Sequence, residues 1–270
     1  MKKGLLILIG LFLIFALAAC GNDDKGSDKK LVVAATPVPH AEVLEKVKPI
    51  LKDQGIDLDI KIMNDYNTPN IALDEKSVDA NYFQSIPYFE LQMKEKGFKF
   101  TNAGGIHIEP IGIYSTKYKS LNELPDGAEI LLSNSVSDHG RILSLFADKG
   151  LITIKDGVKL TDAQIEDIID NPKNLQFKAD YQADLLPRIY QNSEGDAVII
   201  NSNFALGAGL NPMEDAIALE SEESVYVNII AVREGDENNE NIKALVEALQ
   251  SKEIQDWIIK EYNGSVVPVK

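Results

Sequence analysis

Cysteine is almost missing from this 270-residue chain: Cys20 is the only one, so no intramolecular disulfide can form. Arginine is nearly as scarce, with only Arg141, Arg188 and Arg233 among 27 basic residues. Positive charge is outnumbered by 42 acidic side chains, for a formal net charge of −15. Duplex nucleic acid is therefore not an expected partner, because its affinity depends on clustered Lys and Arg neutralising phosphates. The catalytic signatures are missing too. There is no G-x-S-x-G elbow, no H-E-x-x-H, no P-loop and no G-x-G-x-x-G. The three histidines, His40, His107 and His139, are scattered, without Cys or acidic pairs at ligand spacing, so no metal and no cofactor is expected. A Ser/His pair that meets only in the fold stays open, but the reading is not an enzyme.

What remains is an ordinary packed protein. Hydrophobic residues make up 44% and charged residues 26%, which is unlike a disordered chain. The length suits one large domain or two modest ones.

The N-terminus differs from the rest. Lys2 and Lys3 precede an apolar run from Leu5 to Ala19 that is broken only by Gly10. That run is shorter than the ~20 residues of a bilayer-spanning helix and fits the core of a signal peptide. It ends Leu17-Ala18-Ala19-Cys20, followed by Gly21. Small residues before a cysteine match a bacterial lipobox. The expectation is that residues 1–19 are removed and that Cys20 is acylated, giving the two chains that stable anchoring needs. Residues 20–30 carry the polar segment Asn22 to Lys30 and read as a flexible tether. The setting expected is the extracytoplasmic side of the cell membrane.

From Leu31 on, short apolar runs alternate with amphipathic segments. Leu31 to Ala35 reads as a buried strand, His40 to Gln54 as a helix with Val43, Leu44, Val47 and Leu51 on one face, and Leu58 to Ile62 as the next strand. That order implies a parallel pair joined by a right-handed crossover. Further helices are expected over Asn70 to Leu73, Tyr88 to Lys96, Arg141 to Lys149, Thr161 to Ile169 and Ile242 to Tyr262. Further strands are expected over Val78 to Ala80, Pro110 to Tyr114, Glu129 to Leu132, Ala197 to Ile200 and Val225 to Val232. The fold class is α/β, in two lobes: residues 31–113 plus 228–270, and residues 114–227.

Three segments suggest a site for a small charged solute. The polar loop Ser133 to Gly140 leads straight into Arg141. A helix start offers free N–H groups to an anion, and the planar Arg fork suits a carboxylate. The same Arg could equally pair with a surface acid. The stretch Asp79 to Phe89 holds four aromatics within eight residues, Tyr82, Phe83, Tyr88 and Phe89, which means either core or pocket wall. Asn201 and Asn203 follow an apolar strand, at the end where open α/β sheets meet ligands. Asn228 lies inside a strand pattern, as a structural amide or a ligand contact.

Taken together, these segments resemble the methionine-binding lipoproteins, the NlpA-type family of solute receptors for ABC importers. The matching stretches are Ala35-Thr36-Pro37-Val38-Pro39-His40-Ala41-Glu42, Asn64 to Asn70, Asp79-Ala80-Asn81-Tyr82-Phe83-Gln84, His107-Ile108-Glu109-Pro110-Ile111-Gly112, Asn171-Pro172-Lys173, Ile200 to Ala205 and Tyr226 to Ile229. They cover the mature chain in order. The resemblance implies a two-lobed fold of the periplasmic-binding-protein type (type II), closing over an amino acid. Arg141 would hold the ligand carboxylate, and Asn201 and Asn228, with Asn203, its polar backbone. Tyr66, Phe83 and Tyr88, with Tyr82, would line the side-chain pocket, where aromatic–thioether contact is worth roughly 0.3–1.5 kcal/mol. It further implies capture of L-methionine, or a methionine-containing dipeptide, by a monomer that delivers it to a permease by hinge closure.

Two departures bear on the ligand. Ser85 stands where the family usually has histidine, and the loop Asn134-Ser135-Val136-Ser137-Asp138 replaces Asn-Asp-Pro-Ser/Thr-Asn. Ser85 enlarges the pocket, and Asp138 adds a negative charge beside it. Another amino acid or small polar solute is therefore the alternative ligand; a surface lipoprotein enzyme or adhesin is the reading from a different class.

Overall fold

The structure is a computed structural model that describes residues 29–221 and 223–269. The expected signal peptide, Cys20 and most of the tether lie outside the described residues.

Thirteen strands are described: β1 (Lys29–Ala35), β2 (Ile56–Ile62), β3 (Ala80–Ser85), β4 (Phe100–Ile108), β5 (Gly112–Tyr114), β6 (Glu129–Ser133), β7 (Thr153–Ile154), β8 (Ile168–Asp170), β9 (Gln176–Tyr181), β10 (Ala197–Ile200), β11 (Ala218–Leu219), β12 (Val227–Arg233) and β13 (Val267–Pro268). Between them run the helices α1 (Glu42–Asp53), α2 (Thr68–Asp74), α3 (Ile86–Lys96), α4 (Val136–Ala147), α5 (Leu186–Gln191), α6 (Ser202–Gly207), α7 (Pro212–Asp215), α8 (Glu240–Leu249) and α9 (Lys252–Tyr262). The fold is α/β and two-lobed. One lobe is built on a six-stranded sheet of order β13-β4-β12-β3-β1-β2, the other on a five-stranded sheet of order β11-β5-β10-β6-β9.

In the first lobe β1 pairs in parallel with both β2 and β3, as the strand–helix–strand order requires. The crossover helix α1 buries Val43, Leu44, Val47 and Leu51 against a core that includes Ile242, Leu245 and Leu249 of α8. Each such side chain is worth about 1.5–3 kcal/mol when fully buried. The second lobe has its own core, with Ile113, Ile130, Leu132, Leu143 and Phe146 among its members.

Several elements depart from the sequence expectations. Thr161 to Ile169 is not a helix. Two short 3₁₀ turns, Leu160–Asp162 and Ile165–Asp167, lead into β8, which pairs with β7. Gln164 and Asp167 cap each other's backbone and close the second turn after three residues. The Ile242 to Tyr262 pattern is two helices, because Ser251 caps the start of α9 by accepting from the Ile254 amide at 3.5 Å. The expected strand at Val78 to Ala80 lies further on, as β3.

Strand β4 has little β signal, since Asn102, Ala103, Gly104 and Gly105 occupy its middle. It forms because β12 and β13 pair with it on either side. Its glycines are there for close approach: a Cβ on Gly104 would stand 2.6 Å from Val246 Cγ1 of α8. Among the described residues, no helix is long and apolar enough to cross a membrane.

Candidate functional site

The ends of four strands and one helix start meet between the lobes. β3 delivers Phe83, Gln84 and Ser85, and β12 begins with Val227 and Asn228. β4 ends at Ile108, so that Glu109 stands at the crossing between lobes. On the other side β10 ends at Ile200, followed by Asn201, and α4 opens with Asp138 and Arg141 in its first two turns. Register brings Asn228 beside Ser85 on one side and His107 on the other. Together they line a hollow of about 410 Å³, open mouth included.

Of the site residues expected from sequence, Arg141, Asn201, Asn203, Asn228, Tyr66, Phe83, Tyr88 and Ser85 all line this hollow. Tyr82 does not. It is fully buried in the first lobe, with its hydroxyl 2.5 Å from His107 Nδ1 and its ring edge-on to His40. A bulge marks the split: Tyr82 pairs with Ile230 and Gln84 with Ile229, so Phe83 is an extra residue where β3 passes from the core to the cleft. The aromatic stretch is thus both of the things it suggested.

The apolar wall is a mutual contact. Ring centroids of Tyr66, Phe83 and Tyr88 lie 5.9–6.0 Å from one another, and Phe204 stands 5.0 Å from Tyr66. The Tyr88 hydroxyl donates to the Tyr66 carbonyl at 2.8 Å and fixes the loop that carries it. Beneath the wall, Asn70, Asn81 and Gln84 bond one another through their amides at 2.8–3.1 Å. Part of the Asn-Tyr-Phe-Gln motif is therefore scaffold. The Tyr66 hydroxyl also crosses the cleft, donating to Asn203 Oδ1 at 2.6 Å.

Arg141 is only 6% exposed, yet it is surrounded by acids. Nη2 lies 2.8 Å from Asp138 Oδ1 and Nη1 lies 3.2 Å from Glu220 Oε2. The guanidinium also sits 4.5 Å from the centre of the Tyr226 ring. Burial works against its charge, but Asp138 and Glu220 outweigh that, so its pKa is raised. Its Nε is buried without a hydrogen-bond partner. An unsatisfied buried donor costs ~1–3 kcal/mol, and a carboxylate entering the cleft would relieve it. Asp138 also accepts from Asn201 Nδ2 at 3.1 Å. The extra charge that the sequence placed beside the site is thus bound to the arginine itself.

Sequence reasoning missed Glu109, Gln84 and Ser202 as cleft residues, and Glu220 as a partner of Arg141. Glu109 lay inside a matched motif, and no role could be read from it. It anchors a buried network: its Oε1 lies 2.7 Å from His107 Nε2 and 3.1 Å from His40 Nε2. His40 continues to Asn228 Oδ1 at 3.1 Å and to the Thr36 hydroxyl at 2.7 Å. Burial lowers the pKa of His40 to about 4, against the pull of Glu109, and that of His107 to about 3, so both are neutral at pH 7. Burial likewise raises Glu109 above 4.5, opposed by His40, Arg141 and the Asn203 amide. The scattered histidines of the sequence converge on one carboxylate; only His139 lies elsewhere, bound to Gln164 and the Ser133 carbonyl.

Comparison with known proteins agrees with this architecture. The family described as NlpA lipoprotein matches residues 31–270. The methionine-binding lipoprotein MetQ of Bacillus subtilis (strain 168) is 50% identical over 275 residues, which is 100% of this chain and 99% of that protein. The D-methionine-binding lipoprotein MetQ of Escherichia coli (strain K12) is 39% identical over 255 residues, 93% of this chain and 92% of that one. Among solved structures, a nutrient binding protein from Burkholderia cenocepacia bound to methionine has a TM-score of 0.84 at 41% identity, covering 89% of this chain and 100% of that one.

Proposed function

Because the chain belongs to the NlpA lipoprotein family, we propose that it is a lipid-anchored receptor for L-methionine, or a methionine-containing dipeptide, serving an ABC importer. The observation that carries the reading is the buried Arg141, whose Nε has no partner, beside the wall of Tyr66, Phe83 and Tyr88. A guanidinium edge matches a carboxylate, and an aromatic wall matches a thioether chain. The names of the relatives point the same way.

The mechanism is binding and closure, without covalent chemistry. Arg141 Nε takes the ligand carboxylate. Asn228 spends Oδ1 on His40 and offers its Nδ2, while Asn201 spends Nδ2 on Asp138 and offers its Oδ1. Tyr66 and Asn203 join the lobes when they meet, so ligand and closure favour each other. Cleavage before Cys20 and acylation of its thiol hold the receptor, a monomer, at the extracytoplasmic face of the cell membrane, where it meets the permease.

A screen of the common amino acids and methionine dipeptides by thermal shift, after co-purified ligand is stripped by mild denaturation, tests the ligand. Methionine at ~100 times its Kd should add about 2.7 kcal/mol of stability. A second reading, with another small amino-bearing solute, is favoured by the Asp138–Arg141 pair and by Ser85 in the cleft. Silence with methionine and a shift with another solute would decide for it. Turnover, or tight protein binding without any small-molecule shift, would decide for an enzyme or adhesin.

A further inference from the structure

The charges around the cleft are lopsided. One guanidinium, Arg141, stands against three carboxylates: Asp138 and Glu220, which already hold its two Nη atoms, and Glu109. A ligand carboxylate must share that arginine with two acids, whereas a ligand cation has no competitor in the cleft.

Glu109 is built to receive one. His40 Nε2 faces two acceptor oxygens, Asn228 Oδ1 and Glu109 Oε1, each at 3.1 Å, so this nitrogen carries the proton and the Thr36 hydroxyl donates to Nδ1. His107 takes the same tautomer, with the Tyr82 hydroxyl donating to Nδ1 and Nε2 donating to Glu109. A carboxylate has about four acceptor positions, and the two histidine N–H groups that face it leave positions open on a side chain that lines the cleft. Two neutral histidines, each locked through its far nitrogen by a hydroxyl, hold that carboxylate in place.

We propose that the Glu109 carboxylate binds the ligand's ammonium group, and that this contact, more than the one between the ligand carboxylate and Arg141, decides what the cleft accepts. The proposal rests on reading the cleft as an amino-acid site. The class accepted is small solutes with a free primary ammonium: an amino acid, an amino-acid amide, or the N-terminus of a dipeptide. N-acylated amino acids are refused. His40 and His107 are positioning residues; Glu109 is the one that touches the ligand.

Calorimetry on the ligand-stripped wild-type protein tests this with three probes: L-methionine, L-methionine amide and N-acetyl-L-methionine. The amide, which keeps the ammonium, should bind within about 10-fold of methionine, and the N-acetyl compound, which loses it, should bind about 100-fold more weakly or worse. Glu109→Gln should weaken methionine and its amide by at least about 10-fold each. If that variant does not fold, the comparison of probes on the wild type still decides. N-acetyl-methionine binding as well as methionine, the amide losing more than the N-acetyl compound, or a folded Glu109→Gln protein with wild-type affinity would each overturn the proposal. Failure of the methionine reading looks different: methionine gives no heat, and the same three forms of whichever amino acid raises the melting temperature are compared. If no amino acid binds in any form, both readings fall.

Discussion

Asp138→Asn should tighten methionine binding, although it removes an ion pair. In the structure Asp138 Oδ1 stands 2.8 Å from Arg141 Nη2 and Oδ2 accepts from Asn201 Nδ2 at 3.1 Å. A ligand carboxylate on the Nε edge of the same guanidinium would be a second negative charge beside Asp138, taken as about 4 Å away. At an effective dielectric of about 20 two such charges repel by roughly 4 kcal/mol, an upper bound that mobile solvent reduces. The amide keeps an oxygen for Nη2, and a flipped Asn201 satisfies its new N–H groups. Arg141 keeps Glu220 at 3.2 Å, so no charge is stranded. The expected net gain is about 1.5–3 kcal/mol, or roughly 10- to 100-fold in Kd. Fold stability should drop by only ~1 kcal/mol, as one charge-assisted hydrogen bond becomes neutral. Isothermal titration of stripped wild-type and variant protein measures it, with methionine amide as control because it carries no carboxylate to be repelled. Unchanged or weaker methionine affinity in a folded variant would refute the reasoning, and so would an equal gain for the amide.

Four further outcomes follow from the same geometry. Arg141→Ala should weaken methionine binding by orders of magnitude, more than loss of the ligand carboxylate does, because Asp138 is then left uncompensated beside that carboxylate, and should lower stability by about 3–5 kcal/mol as Asp138 and Glu220 lose their buried counter-charge; wild-type denaturant stability would contradict the pairing seen here. Tyr66→Phe removes the hydroxyl that bonds Asn203 across the cleft and should cost about 1 kcal/mol of affinity by calorimetry, with unchanged affinity showing that the contact does not hold the lobes closed. Ligand-free protein should lose stability as pH falls from about 6.5 towards 4: unfolded histidines take up protons in that window while His40 (about 4) and His107 (about 3) stay neutral, giving up to ~1.4 kcal/mol per pH unit for each. Glu109, raised above 4.5, acts in the opposite sense, so a His107→Asn variant, whose pH–melting curve should be flatter than wild type, is the deciding comparison; an equally steep curve rejects the histidine assignment. Finally, Cys20→Ser should move the protein from the membrane fraction to the soluble one, and retention on the membrane would rule out the thiol as anchor.

Local signals were read well where one residue set dominated. The face of α1, the parallel β1–β2 pair and the apolar cores of β6 and β10 follow from hydrophobic period and β-branched content alone. Elements made by partners were not legible. β4 is a strand because β12 and β13 flank it, and its Gly104 answers to a helix about 140 residues further along the chain. The helix expected at Thr161 to Ile169 failed because a side-chain capping pair closes a turn there, which a periodicity cannot show. At the site, Arg141, the asparagines and the aromatic wall could be named from sequence. Glu109 could not, since an acid beside a strand carries no mark of where its carboxylate points.

By itself, the sequence determined the single cysteine behind its apolar leader, the excess of acid, the α/β alternation and the family motifs, because each is a property of neighbours in the chain. Only the tertiary structure decided which residues share the cleft. Tyr82 went to the core and Phe83 to the wall at a bulge in one strand, and Asp138 proved to lie on Arg141 rather than merely near it. His40, His107 and Glu109, separated by up to 69 positions in the sequence, became one network. The physical reason is burial. A titratable group removed from water must find its partners in the fold, and those partners come from whichever strands the sheet places side by side.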